Sequence, residues 1–265
     1  MSAGAAVRLW LLPVWGLWWR EMVRFVRQRS RVTGALLQPL VFWLVLGGGL
    51  NASFRPAGVT GVSYVAYFFP GTIVLVLLFT AVFATIATVE DRKSGFLQGV
   101  LVAPVPRPAI VLGQLLGSTT LATIQGTLML CAAPLVGIRF GPGAAALAVL
   151  LMALMGLALS GLGLSIAWRM DSTQGFHAVM NLLLLPMWFL SGAVFPMTGA
   201  PFAIQWLMTL NPLMYGVAAL RRSLYWAQTG ALEDLPSLGV GVGITILFAV
   251  LAFVLATRSA RRHLW

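Results

Sequence analysis

The sequence has 265 residues, of which 60% are hydrophobic and only 9% are charged. A soluble domain carries roughly 25% charged residues, so the composition excludes an ordinary soluble protein and predicts an all-α polytopic membrane protein. The net charge of +11 does not indicate nucleic-acid binding, because the basic residues stand at the borders of apolar runs, where they set membrane topology. Cys131 is the only cysteine, which excludes a disulfide within the chain.

The N-terminal residues 1–33 are predicted to form an amphipathic helix rather than a membrane span or a cleaved leader. The apolar run 9–19 is too short to span, and Arg20-Glu21 follows it instead of a small-residue cleavage site. Beyond Pro13, helical spacing gives a basic face of Arg20, Arg24, Arg27 and Arg31 and an opposite face of Trp15, Trp18, Met22 and Phe25. A basic helix rich in tryptophan is typical of a helix that lies in the membrane interface.

Six apolar runs are candidates for membrane spans. They cover residues 34–50, 64–89, 108–137, 144–168, 175–195 and 238–256. Pro186 interrupts the fifth run, and a basic tail, 258–265, follows the last. We therefore expect one six-span domain over residues 34–257.

Residues 202–220 leave the number of spans open. This segment is apolar but is broken at Asn211-Pro212, where proline ends or kinks a helix. Two half-helices that dip into the membrane and return would explain the pattern, and a seventh full span is the alternative. The six-span and seven-span models differ by only one in the number of basic residues that they place on the cytoplasmic side. The positive-inside rule therefore places the N-terminus in the cytoplasm in both models but does not decide the side of the C-terminus.

The ionisable residues also narrow the function. No Asp, Glu, Lys or Arg lies in the middle of a predicted span, whereas ion-coupled transporters usually keep such groups there. His177, about one turn inside the fifth run, is the nearest candidate for such a group. A Walker A loop needs Gly directly before its Lys, but the single Lys of this chain, Lys93, follows Arg92. If ATP drives this protein, another chain binds it.

The loop after the second run, 90–107, carries the most informative pattern. Four charged residues come first, a turn pair follows, and apolar residues then recur at helical spacing: Glu90, Asp91, Arg92 and Lys93, then Ser94 and Gly95, then Phe96, Leu97, Val100 and Leu101. Acids in a first turn suit the helix dipole, and Pro104, Pro106 and Pro108 would end the helix. The pattern predicts a short amphipathic helix joined rigidly to two spans, so that a partner bound there could move both. An ordinary interfacial loop helix is the alternative.

Three motifs, whose order and spacing cover nearly the whole chain, carry a resemblance to a known family. They are Glu90-Asp-Arg-Lys-Ser-Gly with Leu101-Val-Ala-Pro-Val-Pro106, Pro186-Met-Trp-Phe-Leu-Ser-Gly-Ala-Val-Phe-Pro196, and Asn211-Pro-Leu-Met-Tyr215. With these motifs the chain resembles the ABC-2 family of ABC-transporter permease subunits, in the branch of daunorubicin-resistance-type drug permeases and nodulation-factor exporters.

The resemblance implies an architecture and a set of partners. The chain would be a six-span half-transporter of the bacterial inner membrane with both termini in the cytoplasm. It would pair with a second copy of itself or with a paralogous permease. A separate cytoplasmic ATPase would bind ATP and Mg, and this chain would hold no cofactor. Residues 197–235 would include re-entrant external helices, which favours six spans over seven.

The resemblance also assigns roles to residues of this sequence. The helix within 90–101 would be a coupling helix seated on the ATPase, with Phe96 and Leu97 as its apolar contact and residues 90–95 setting register and electrostatics. The N-terminal helix, with Arg20, Glu21 and Arg24, would be a connecting helix beside it. The substrate path would lie at the dimer centre near the second and fifth spans, where the polar side chains include Thr80, Thr85, Asn181 and Ser191.

These polar residues have a simpler alternative, because interhelical hydrogen bonds also use Thr, Ser and Asn. A path without charge suits an amphiphile such as a lipid, a hydrophobic drug or a lipid-linked glycan. The expected function is ATP-driven export of such a substrate. A secondary transporter, a membrane assembly factor without transport activity, and an ABC permease working in the import direction are the alternatives.

Overall fold

A computed structural model describes residues 3–27, 29–50, 63–225 and 235–262, and the regular elements in these ranges are helices. The α-helices are α1 (Ala3–Arg27), α2 (Arg29–Phe42), α3 (Tyr64–Ala84), α4 (Ile86–Lys93), α5 (Phe96–Val102), α6 (Arg107–Leu130), α7 (Pro142–Ala167), α8 (Thr173–Phe189), α9 (Phe202–Leu210), α10 (Pro212–Leu224) and α11 (Leu238–Arg262). A π-helical segment, Trp43–Gly48, follows α2, and a 3₁₀ turn, Ala133–Val136, follows α6. The link 51–62, the part 226–234 of the expected re-entrant segment, the side chain of Arg31 and the end of the basic tail lie outside the described residues.

Three helical stretches in the described ranges are long and apolar enough to cross a membrane. They are Tyr64–Lys93, Pro142–Ala167 and Leu238–Arg261, at the places of the expected second, fourth and sixth spans. The prediction of an all-helical protein with apolar spans is therefore confirmed, and the count of six stays a prediction.

Two helices end earlier than the sequence predicts, and a glycine with positive φ follows each of them within a few residues. The third run was expected to reach residue 137, but α6 ends at Leu130, and the 3₁₀ turn behind it closes at Gly137 with φ of 80°. The fifth run was expected to reach residue 195, but α8 continues through Pro186, ends at Phe189 and leads to Gly192 with φ of 76°.

Helix α3 lies at the centre of the main core and packs against α2, α6, α7, α8 and α10. In its most apolar 18-residue stretch, 89% of the residues are buried inside the chain, against 22% for the stretch in α11. Its hydrophobic side chains point in all directions, as expected of a helix surrounded by protein. Side chains from α6, α7, α8 and α10 complete one core with it.

Helix α1 packs closely against α6. A Cβ atom added to Gly113 would lie 2.9 Å from Cβ of Leu17, and one added to Gly117 would lie 2.8 Å from Cβ of Glu21. Contact this close requires glycine. Gly113 and Gly117 therefore form the surface of α6 against which α1 packs. The helix also continues through Pro13, although the helical pattern was expected only beyond that residue.

The apolar segment 202–220 forms two helices that meet at Asn211-Pro212. Asn211 caps α10, since its side-chain oxygen accepts a hydrogen bond from the backbone N–H of Leu213 at 3.1 Å. Its Nδ2 donates to the carbonyl oxygen of Met187 at 2.6 Å, which ties this break to α8. The position of α9 and α10 relative to a membrane stays a prediction.

Candidate functional site

The four charged residues after the second run end α4 instead of beginning the next helix. The backbone N–H of Ser94 donates to the carbonyl of Glu90 at 2.9 Å, and Gly95, with φ of 75°, reverses the chain before α5 begins at Phe96. The expectation that the acids open the amphipathic helix is therefore wrong, because the left-handed turn at Gly95 separates them from it. Arg92 and Lys93 instead lie in the last turn of α4, where positive charge suits the helix dipole.

Asp91 joins α4 to α1 through two arginines. Its side chain is only 3% exposed, and its Oδ2 and Oδ1 accept hydrogen bonds from Nη1 and Nη2 of Arg20 at 2.5 and 2.7 Å. Oδ1 also accepts from Nη2 of Arg24 at 2.6 Å. The bond to Asp91 raises the pKa of the Arg20 guanidinium, so this group stays charged. We call Asp91, Arg20 and Arg24 the Asp91 cluster.

The same cluster reaches α5. The guanidinium of Arg20 lies 3.8 Å from the centre of the Phe96 ring, a cation–π contact. Ser94, in the turn between, donates its hydroxyl to the backbone carbonyl of Asp91 at 3.2 Å. One arginine of α1 thus contacts both helices of the predicted coupling segment, and the predicted connecting and coupling residues are in direct contact.

Arg92 fixes the other side of this segment. Its Nη1 donates to the carbonyl oxygens of Trp168 at 2.9 Å and Met170 at 3.2 Å, beyond the end of α7. Its Nη2 reaches Asp171 at 3.0 Å, but the Asp171 side chain is 89% exposed, so this ion pair contributes little. The end of α4 is thus held to α1 on one side and to the α7–α8 connection on the other.

The two apolar residues predicted to contact a partner have different positions. Phe96 is exposed, whereas Leu97 is buried among Val111, Leu164 and Trp168. Leu97 therefore anchors α5 to the protein and is not free to contact another chain. The exposed apolar side chain that the sequence prediction missed is Val102, which is 87% exposed. Because α5 and the turn before it expose Lys93, Ser94, Gln98 and Gly99 as well, this surface mixes polar and apolar groups.

A cavity of about 420 Å³ opens beside the Asp91 cluster. Glu21, Arg24, Glu90, Thr173 and His177 contribute polar groups to its lining. Phe25, Phe79, Phe83 and Leu121 contribute apolar groups, and the His177 ring lies 4.9 Å from that of Phe83. The cavity lies between α1, α2, α3, α4, α6 and α8 and offers both charged and aromatic surface to one ligand.

Only one of the four predicted path residues lines this cavity. Thr80 does so, and its hydroxyl donates to Oε1 of Gln125 on α6 at 2.5 Å. Thr85 and Ser191 are buried, and each donates to a backbone carbonyl three residues earlier in its own chain segment. Asn181 lies on the exposed side of α8. The structure does not bring the four residues together.

Sequence reasoning also missed a buried arginine. Arg221 was counted only among the basic residues that set topology, but it is 2% exposed and lies against Tyr67. A positive charge at a helix end gives no signal of burial in the sequence, so only the fold reveals this residue.

Comparison with known proteins adds a family and several relatives. The family model described as ABC-2 type transporter matches residues 13–225. Nodulation protein J of Rhizobium meliloti is 30% identical over 89% of this chain and 87% of its own length. Nodulation protein J of Rhizobium leguminosarum bv. viciae is 27% identical over 96% of this chain and 97% of its own length. A chain named as a transport permease, ycf38, from Cyanophora paradoxa is 27% identical over 89% of this chain and 84% of its own length.

Proposed function

This chain belongs to the ABC-2 type transporter family, and from that premise we propose that it is the permease subunit of an ATP-driven exporter. As a member of the family it is a membrane transport permease subunit, which itself is not the catalytic chain. ATP and Mg are bound by a separate cytoplasmic ATPase in this proposal. The permease works in the inner membrane as a dimer, with six spans, re-entrant helices α9 and α10, and both termini in the cytoplasm.

The observation that carries the proposal is the Asp91 cluster. It links α1 to the end of α4, which continues the central helix α3, and Arg20 also contacts α5. A force applied to α5 by a partner would therefore act on α1 and α3 together. Such a rigid connection is what a permease needs if hydrolysis on another chain is to change its conformation.

The partner surface consists of α5 and the turn before it. Phe96 and Val102 supply exposed apolar area, and Lys93 supplies a positive charge. The sequence suggested Glu90 and Asp91 as partner contacts, but in this proposal both face inward. Glu90 faces the cavity, and Asp91 faces α1. An apolar contact with a polar rim is the usual anatomy of a specific protein interface.

The cavity supports the proposed substrate class. Its aromatic residues would hold an apolar chain or ring, while Glu21, Arg24 and Glu90 would meet a polar or charged head. A ligand that satisfies both ends is an amphiphile, such as a lipid, a hydrophobic drug or a lipid-linked glycan. The cavity adjoins the proposed ATPase surface, so it would serve as the entry site on the cytoplasmic side.

A pull-down from the native host in mild detergent tests the proposal. Tagged permease should recover a P-loop ATPase, identified by mass spectrometry and by ATP hydrolysis. Phe96→Asp together with Val102→Asp should abolish that recovery, because both place a charge where an apolar contact is expected. Leu135→Asp, an exposed apolar residue beyond the opposite end of α6, is the matched control and should leave recovery unchanged. A stably inserted chain that recovers no ATPase would overturn the exporter proposal.

A further inference from the structure

Arg221, near the end of α10, is a buried cation that the proposed transport function has not used. The ion pairs formed by described residues do not include it. Its Nε is buried without a hydrogen-bond partner in the described part of the chain. Burying a charge without an opposite charge is costly, so its position calls for a compensating arrangement of other groups.

Backbone carbonyls and one aromatic ring supply that arrangement. Nη2 of Arg221 donates to the carbonyl oxygens of Tyr67 at 3.3 Å and Gly192 at 3.1 Å. The guanidinium carbon lies 4.0 Å from the centre of the Tyr67 ring, and the Tyr67 hydroxyl donates to the same Gly192 carbonyl at 3.0 Å. We call Arg221, Tyr67 and Gly192 the Arg221 cluster. It joins α10, α3 and the turn after α8.

Other contacts hold the same end of α3. Pro70 has no N–H to donate to the carbonyl of Ala66, and the hydroxyl of Tyr225 donates to that carbonyl instead at 2.6 Å. A Cβ atom added to Gly71 would lie 2.7 Å from the carbonyl oxygen and the Cβ of Ala193, so α3 and the turn after α8 are in backbone contact. This end of the molecule is therefore tightly closed.

The opposite ends of α3 and α8 border the cavity. Phe79 and Phe83 of α3 and Thr173 and His177 of α8 line its wall, beside the proposed ATPase surface. The two helices are thus linked through the Arg221 cluster at one end. At their other ends both line the cavity, where the Phe83 and His177 rings lie 4.9 Å apart. The cavity is therefore at one end of α3 and the Arg221 cluster is at the other.

We propose that Arg221 is a positioning residue that holds the far end of the permease closed and must release the Gly192 carbonyl before substrate can leave. The inference rests on the proposed transport function and adds a residue that controls exit. A carbonyl carries only partial charge, so it holds a guanidinium less strongly than a carboxylate would. A closure made this way can open in each transport cycle without separating an ion pair.

The test measures how readily the turn after α8 is exposed. Purified permease carrying Cys131→Ser and Val194→Cys is reconstituted in lipid nanodiscs and labelled with a water-soluble maleimide. Val194 is half-buried, and its backbone carbonyl accepts a hydrogen bond from Tyr64 at 3.1 Å, so the new thiol reports on the closed end. In a parallel sample the reporter cysteine is placed at Arg139, in the exposed turn before α7, instead of at Val194. Its labelling rate measures how freely the reagent reaches an exposed thiol.

Arg221→Met should raise the labelling rate at position 194 at least about tenfold, because it removes two charge-assisted hydrogen bonds from the closure. The fold should survive, since the Gly192 carbonyl keeps the Tyr67 hydroxyl and the Tyr67 carbonyl keeps its helical N–H. Arg222→Met removes the same charge one residue away, and Arg222 bonds the carbonyls of Leu235 and Pro236 instead. That control should not change labelling.

Arg221→Lys should restore part of the slow labelling, because lysine keeps the charge but lacks the planar donor fork. In the complex with the ATPase, Arg221→Met should retain ATP hydrolysis while transport falls. If Arg221→Met does not fold, the labelling rate at position 194 is compared in Arg221→Lys and Tyr67→Phe instead.

Equal labelling of the wild-type protein and the Arg221 variants, or an equal rise in Arg222→Met, would overturn the inference. Failure of the wild-type permease to recover an ATPase would overturn only the proposed function, because labelling needs no partner.

Discussion

At the scale of single residues, Asp91 has a different task from the one its position in the sequence suggested. A charged residue in a cytoplasmic loop was expected to face a partner, but the carboxylate is buried between two arginines of α1. The sequence pattern did predict a short helix in this region, and α5 follows the left-handed turn at Gly95. It could not identify the ion pair, since Arg20 and Arg24 are about seventy positions away.

Replacing Asp91 with Asn should lower the free energy of unfolding by about 2 kcal/mol. Breaking a fully buried ion pair costs about 3 kcal/mol or more, and the loss is smaller here because Arg20 is 30% exposed. Thermal unfolding of the purified permease in detergent would measure the change. Asp171→Asn is the matched control, since that carboxylate is 89% exposed and its pair with Arg92 contributes under about 1 kcal/mol. Equal shifts in the two variants would contradict an internal role for Asp91.

At the scale of helices, glycine positions decide which surfaces meet. The sequence has Gly113 and Gly117 on one predicted span and Gly239 and Gly243 on another, with the same spacing. Within the described part of the chain the first pair packs against α1, while nothing lies within 4 Å of a Cβ added to Gly239 or Gly243. Spacing alone could not separate the two pairs, because it does not specify the partner helix.

Gly113→Ala should therefore destabilise the permease by about 1–3 kcal/mol, the usual cost of overpacking a close contact. The added methyl group would lie 2.9 Å from both Cβ of Leu17 and the backbone oxygen of Val14, so α1 would have to move away from α6. The measurement is again thermal unfolding in detergent. Gly239→Ala meets none of the described residues within 4 Å and should show no loss. If the two variants were equally stable, α1 would not pack against α6 at Gly113.

At the scale of the whole molecule, α3 connects two sites that the sequence treated separately. One end continues into α4 and the Asp91 cluster, and the other end carries Tyr67 of the Arg221 cluster. Apolar runs and proline motifs were enough to predict an all-helical protein with apolar spans and the break at Asn211-Pro212. They could not predict that α3 is central, because a run that is apolar on every face does not distinguish protein from lipid as its surroundings.

The same limit explains the substrate path. Thr80, Thr85, Asn181 and Ser191 were selected because they are polar in apolar runs, and three of them satisfy their hydroxyls within the protein. The cavity beside the Asp91 cluster instead combines residues from six helices. Such a site depends on how the helices pack, which the sequence pattern of one helix cannot reveal.

Photo-cross-linking in the native host tests the central claim most directly. A photoreactive amino acid replaces Val102 on α5, and the cross-linked products are identified by mass spectrometry. We predict an adduct with a P-loop ATPase from position 102, and none from position 135 beyond the far end of α6. Cross-links from position 102 to lipid alone, or to proteins without an ATP-binding domain, would contradict it.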